Sequence, residues 1–463
     1  MDQQGDRVKH SRRVLASALL VTMLIAAGCG RSDNKAQTAP SSSGATTGSS
    51  SSSGSTLADG GFGDIPKVCS AGDAKGATAT GVTDTEIHVG TLTDKGSTIK
   101  SGLTKEMYDA AVAFTAWCNE HGGVLGRKLV LDDLDAALFN YGTVITGACT
   151  KDFALVGGGA VFDDGDNGAR EQCGLPNVAG YVVSAKARAA GLQVQPVPNP
   201  VYKFPVAGYK GAERVAPGGL QAYGVLTGNF ASTQLVRDQA VEAVGQLGGK
   251  VVYNAEYNAQ GESNWAPFVD DMKTKGVKIF DFIGEPENMV ALQKAMATAG
   301  FYPDVSILNA NFYDTKYFQE GAATAKNTYV RTQFVPFEEA ADNKATQDYL
   351  DLMKQFNPSG KVAALGVQGV SAWLLFVKAA TDCGSQLTAA CLLEKAKVTG
   401  WTGGGLHAPD DPATNTPSQC GLVLKLTDKG FVSDATATAP NQGKFNCSPD
   451  NVIDLKNDYG VPR

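Results

Sequence analysis

Three consecutive glycines, Gly157, Gly158 and Gly159, follow a short apolar run and precede Ala160-Val161-Phe162. A turn without Cβ atoms lets a ligand reach the main chain, and successive amide N–H groups there can hold a carboxylate. Other patterns that could carry chemistry fall short. Asp163-Asp164-Gly165-Asp166-Asn167-Gly168 has the composition of a calcium loop, but Gly165 stands third from Asp163 and Ala169 sixth from Asp164, so neither register fits an EF-hand. Asp132, Asp133 and Asp135 read as a solvated strand end. His88, His121 and His407 lie far apart and no Cys-x-x-Cys occurs, which removes the usual zinc spacings. There is no Gly-x-Ser-x-Gly elbow, and Lys250 is followed by Val251 where a phosphate loop needs Ser or Thr. These residues suit non-covalent binding, with no metal, no cofactor and no catalytic group. The 40 basic and 47 acidic residues give a net charge of −7, which argues against a nucleic-acid partner, because phosphates demand clustered positive charge.

At 463 residues and 43% apolar composition the chain exceeds the roughly 250–300 residues at which single cores stop growing, so two lobes are expected. Residues 1–28 stand apart. A basic stretch at 7–13, an apolar run at 14–27 and the small residues Ala26-Ala27-Gly28 form a secretory signal, the run being short of the ~20 residues of a membrane span. Leu24-Ile25-Ala26-Ala27-Gly28-Cys29 resembles a bacterial lipobox, whose cysteine carries a diacylglyceryl group after cleavage. Two fatty chains give stable attachment, so Cys29 is expected to be lipidated and to hold the chain on the outer face of the cell membrane. Residues 29–66, rich in Ser and Gly, read as a flexible linker. No later apolar segment reads as long enough to cross a bilayer. The other eight cysteines suit an oxidising compartment. Proximity pairs Cys149 with Cys173, Cys383 with Cys391 and Cys420 with Cys447, which leaves Cys69 for Cys118.

Strands and helices must position these groups. Residues 86–92 predict a strand, a loop follows at 93–96, and Met107, Ala110, Ala111, Phe114 and Trp117 recur at helical spacing. Strands at 128–131, 153–156 and 177–178 then alternate with helices at 143–149 and 167–173. Beyond a proline-rich connector at 196–205, a second series gives strands at 221–226, 250–253, 279–283 and 305–308 and helices at 232–247, 265–275 and 287–299. The segment 329–335 is placed to return the chain to the first lobe for helices at 344–356 and 367–380. Two such series make two α/β lobes with parallel, near-continuously apolar strands. Ligands of such sheets sit outside the carboxyl ends of the strands. The loops 93–97, 157–162, 179–181, 227–232, 284–288 and 309–313 would therefore line one cleft, bringing Tyr181 and Phe312 to it.

Thr85-Glu86-Ile87-His88-Val89-Gly90, followed by Trp117-Cys118-Asn119-Glu120-His121-Gly122-Gly123-Val124-Leu125-Gly126-Arg127-Lys128-Leu129, resembles the opening of type I periplasmic binding proteins. More narrowly, it resembles the leucine/isoleucine/valine-binding branch that serves ABC importers. A second match runs from Ala222-Tyr223-Gly224-Val225-Leu226 through Gly248-Gly249-Lys250-Val251-Val252 and Asp281-Phe282-Ile283-Gly284 to Ala299-Gly300-Phe301. The resemblance implies an α/β fold of two Rossmann-like lobes (periplasmic binding protein type I) joined by three crossover strands. Lobe 1 would comprise 67–203 and 335–398, and lobe 2 would comprise 204–334 and 399–463. Ligand contacts are implied at Asn229 and Phe230, and at Glu287 of the Pro286-Glu287 pair, whose acid can meet a ligand ammonium, with Glu285 close by. Proline and acid at that place also suit ordinary helix capping. In the family's amino-acid binders the loop of Gly158 and Gly159 carries serine or threonine hydroxyls; here Ala160 and Phe162 stand there, and Phe162 would add an apolar wall.

The expected protein is thus a monomeric, lipid-anchored extracytoplasmic solute-binding protein of an ABC importer. It would close on a small amino acid, amide or organic acid and pass it to permease subunits without catalysis. A ligand-binding surface sensor would have the same sequence character, and a secreted hydrolase would need a nucleophile that the motifs do not supply.

Overall fold

The computed structural model describes residues 57–440 and 444–463, so the signal at 1–28, Cys29 and the linker up to residue 56 lie outside the described residues. Lobe 1 opens with β1 (Glu86–Thr93), α1 (Lys105–Glu120), β2 (Lys128–Asp135), α2 (Tyr141–Lys151), β3 (Ala154–Val156), α3 (Asp166–Gln172), β4 (Asn177–Val178), α4 (Ala185–Arg188) and β5 (Gln193–Val194). The chain crosses over at 195–202. It then builds β6 (Lys203–Pro205), α5 (Ala207–Val215), β7 (Tyr223–Gly228), α6 (Ala231–Gln246), β8 (Val251–Tyr257), α7 (Ala266–Thr274), β9 (Ile279–Ile283), α8 (Pro286–Ala299), β10 (Val305–Leu308), α9 (Thr315–Gly321) and β11 (Thr328–Thr332). A second crossing at 333–336 leads to α10 (Lys344–Phe356), α11 (Ala364–Cys383) and α12 (Ala389–Ala396) in lobe 1. A third, over 407–419, leads to β12 (Cys420–Thr427), β13 (Gly430–Ser433), β14 (Asn446–Cys447) and β15 (Val452–Asp454).

The lobe 1 sheet is wholly parallel in the order β2-β1-β3-β4-β5. In lobe 2 the parallel order β8-β7-β9-β10-β11 repeats the same winding, and β12 and β13 extend it antiparallel. β14 pairs with β12, and β15 pairs with β6. In each lobe the winding reverses between the first and third strands, where doubly wound sheets hold ligands. Helix α1 shows how the sequence builds a layer: Met107, Ala110, Ala111, Phe114, Trp117 and Cys118 are all buried at i, i+3, i+4 and i+7 spacing. Phe114 stacks on Trp373 of α11 with ring centroids 5.6 Å apart.

All four expected disulfides are formed: Cys69–Cys118, Cys149–Cys173, Cys383–Cys391 and Cys420–Cys447. Three expectations change. Residues 57–66, read from composition as the end of the linker, belong to lobe 1: Leu57 and Phe62 enter its core, and the Trp117 indole donates to the Leu57 carbonyl at 2.9 Å. Trp401 and Leu406 also pack in the lobe 1 core, so the final return to lobe 2 comes near residue 420 and not at 399. Finally, the helix from Ala364 is long and apolar enough to cross a membrane, contrary to the sequence reading, yet 78% of its most apolar window is buried as the central helix of lobe 1.

Candidate functional site: the interlobe cleft

A cavity of about 520 Å³ lies between the lobes, lined by strand-end loops of both and by all three crossings. Lobe 1 contributes residues 99–106, Val161, residues 181–183 and Arg188; lobe 2 contributes Phe230, Ser232, residues 283–287 and residues 309–311. The walls are thus the loops after the first, third and fourth strands of each lobe's winding. Buried carboxylates set their shape. Asp94, after β1, accepts the amides of Leu138 and Val161, both at 2.7 Å, and so ties together the loops following β1, β2 and β3. Asp163 accepts the amides of Val183 (2.8 Å) and Ser184 (2.9 Å), and burial outweighs those bonds to push its carboxyl up to about 6.

Tyr181, Phe230, Glu285 and Glu287 line the cleft. Phe162 stands at its rim, its ring edge-on to Phe230 across the lobes at 5.1 Å. The glycine loop does a different job from the one expected. Gly157 donates its amide to Val178 (3.0 Å) and Gly159 to Leu92 (2.8 Å), so two of the three amides are consumed between strand ends. A Cβ on Gly158 would stand 2.3 Å from the Leu92 carbonyl, and one on Gly159 2.3 Å from that of Tyr181, so close packing explains the glycines. With Ala160 they line a small recess beside the cleft. Asn229 is exposed and turns its side chain to the Ala259 amide at 3.0 Å, away from the cavity lining. Phe312 is fully buried in the lobe 2 core between Phe282 and Tyr317, and is no part of the cleft wall.

Ion pairs cross between the lobes. Lys100, from the loop after β1, reaches Glu285 (2.5 Å) and Glu287 (2.6 Å) at the start of α8. Lys361 bridges Glu106 of lobe 1 (3.2 Å) and Asp314 of lobe 2 (2.8 Å). Burial lifts the Glu106 carboxyl above its usual value against the pull of Lys361. The Arg331 guanidinium is balanced by Asp281 at 3.5 Å and lies over the Tyr209 ring at 4.4 Å. Arg188, unremarked in the sequence, donates to Gln239 of α6 at 2.9 Å. Among the described residues no group of three or more His, Cys, Asp or Glu side chains could hold a metal ion.

Residues 207–431 match the model of the family described as periplasmic binding protein. Over these residues the chain is similar to the periplasmic binding proteins. No curated protein sequence matches it. Solved structures share its fold over nearly their whole length. A fatty acid ABC transporter substrate-binding protein from Thermomonospora curvata is 16% identical with a TM-score of 0.66, covering 78% of this chain and 96% of its own. A leucine binding protein from Thermotoga maritima is 14% identical, with a TM-score of 0.61 and coverage of 75% and 98%. A branched-chain amino acid transporter substrate binding protein from Streptococcus pneumoniae, in complex with isoleucine, is 14% identical, with a TM-score of 0.60 and coverage of 75% and 100%. The common fold is the two-lobed type I architecture. The matched family is one of binding proteins.

One buried arrangement stands apart from the cleft. Ser371 Oγ lies 2.8 Å from His407 Nε2, and His407 Nδ1 lies 3.2 Å from Asp410, the order of a nucleophilic triad. All three are buried and absent from the cleft lining. The serine oxygen already accepts from the Trp401 indole at 2.9 Å, and His407 Nδ1 also lies 2.8 Å from the Ala408 carbonyl. The network ties α11 to the second and third crossings, which bond each other through Val335 to Leu406 and Ala408 to Gln333. It braces the two crossings against α11.

Proposed function

We propose that the chain is the lipid-anchored, extracytoplasmic solute-binding protein of an ABC importer, capturing a small ligand between its lobes and delivering it to membrane permease subunits. One observation carries this reading: switch-point loops of two identically wound sheets face a shared cavity of about 520 Å³, and three chain crossings span the lobes beside it. That volume lies within the range of small-molecule sites, and such crossings suit hinge closure. A ligand closes the lobes only by binding the closed state better than the open one. Micromolar affinity corresponds to about −8 kcal/mol, within reach of a few buried polar contacts and apolar walls. The lipobox-like string ending at Cys29, together with four disulfides, supports export and anchoring.

Native mass spectrometry of the protein as purified, followed by small-angle scattering with the released compound added back, tests the capture step. A retained small molecule and a smaller radius of gyration on re-addition are expected. No retained compound, and no compaction with any member of a broad metabolite set, would refute it. Fatty-acid labelling that persists in Cys29→Ser would refute the anchor.

A further inference from the structure

Resting on the reading of the cleft as a solute site, we infer that its ligand is an organic carboxylate with an apolar body and no ammonium group, and that Arg188 receives the carboxylate. Arg188 is only 5% exposed, yet it lines the cleft at the end of α4. Among the described residues its side chain donates to the neutral Gln239 of the opposite lobe, and its Nε has no hydrogen-bond partner. Among the described residues no carboxylate lies at ion-pair distance from it. Asp163 acts on it through space while spending its oxygens on the amides of Val183 and Ser184. A buried cation without a counter-ion is costly, and here burial pulls the guanidinium down to about 10. An anion entering from the cleft relieves that cost, and the planar fork of Arg matches a carboxylate.

The other charges of the cleft narrow the class. Glu285 and Glu287 share Lys100, and Glu106 and Asp314 share Lys361. Glu320 faces Lys316 at 3.8 Å. A ligand ammonium would have to break one of these pairs to find an acid. On the positive side, Lys203 also lines the cleft, bonded to the Thr416 hydroxyl at 3.2 Å and, among the described residues, with no carboxylate at ion-pair distance. The surrounding wall is apolar: Val182, Val183, Val197, Phe230, Val236 and Ile283. An anionic head on Arg188 with a hydrocarbon body against these side chains satisfies both kinds of surface.

Calorimetric titration of the dialysed wild-type protein with sodium octanoate, 1-octanol and 2-aminooctanoate separates the three chemistries on one hydrocarbon body. Octanoate is expected to bind at least about tenfold more tightly than either analogue. Arg188→Met should weaken octanoate by about 10- to 150-fold, the range of a charged hydrogen bond, with Arg188→Lys between. Thermal melts confirm that the variants fold; if Arg188→Met does not, the wild-type comparison and Arg188→Lys carry the test. Equal binding of octanol or 2-aminooctanoate, unchanged octanoate binding in Arg188→Met, or an amino acid retained on purification overturns the inference and leaves the solute-binding reading standing. Absence of any retained compound together with silence toward all three probes overturns both.

Discussion

Replacing Lys100 with Met keeps the stem of the side chain and removes the charge that holds Glu285 and Glu287 across the cleft. The three side chains retain 24%, 36% and 44% exposure, so the pairs belong with partly solvated bridges, worth about 0.2–1 kcal/mol each. Two pairs give about 0.4–2 kcal/mol, a shift of about 2- to 30-fold in the balance of open and closed forms. Because ligand affinity scales with the closed fraction, the dissociation constant of Lys100→Met should rise by no more than that factor, and the ligand-free radius of gyration should increase. Both effects should shrink between about 0.1 M and about 1 M salt, as the Debye length falls from about 10 to about 3 Å. The latch should also fail in acid. Burial opposes ionisation of Glu287, but Lys100 overcomes it and holds the carboxyl below its usual 4.5. A depressed carboxyl contributes above 4.5 and loses its contribution as pH falls through the lower folded value, so the wild-type protein should open below about 4.5 and Lys100→Met should show a smaller change there. Scattering and calorimetry read these outcomes. A variant with unchanged ligand-free size and unchanged affinity at low salt would refute the latch.

Ser371→Ala should lower stability by about 1–3 kcal/mol, because the buried Trp401 indole loses its acceptor, while ligand affinity stays the same; equal melting temperatures would contradict the bracing role. Asp152 sits against Asp132, and burial first, then that neighbour, raise its carboxyl to about 8. A raised acid favours the fold while protonated, and the cost of ionising it grows from 3.8 upward and is complete above about 8. Asp152→Asn should therefore gain in melting temperature over wild type as pH rises from about 5 to about 9, and a constant difference would count against the assignment.

Local pattern exposed most of the layered fold because its strands are short apolar runs closed by punctuating residues. The segments 279–283 and 177–178 match β9 and β4, and α11 extends only three residues beyond each predicted end. What local pattern could not carry is structure imposed from elsewhere. Helix α5 hides behind a proline-rich connector, and β12, β13 and β14 owe their pairing to an exposed sheet edge built about a hundred residues earlier. Residues 57–66 look like linker because their two important apolar residues, Leu57 and Phe62, become core only through the docking that Cys69–Cys118 fixes. The site divides in the same way. Tyr181, Phe230, Glu285 and Glu287 follow strands directly and could be placed from topology. Phe312 also follows a strand, but its direction depends on lobe 2 packing, and it points inward. Arg188 had no local mark at all: a single arginine in a short alanine-rich helix becomes significant only when Gln239 arrives from the other lobe. The Ser371, His407 and Asp410 network is likewise invisible in a chain that separates its first two members by 36 residues.

The bond between Cys69 and Cys118 has a mechanical consequence. Force applied to the chain upstream of residue 57 enters the folded body through lobe 1 and is relayed by a covalent staple into the middle of its core, at α1. Lobe 2 carries none of that load. Were the N-terminal end held, lobe 1 would be the fixed jaw and lobe 2 the one free to swing, so tension on the N-terminal end need not pry the cleft open.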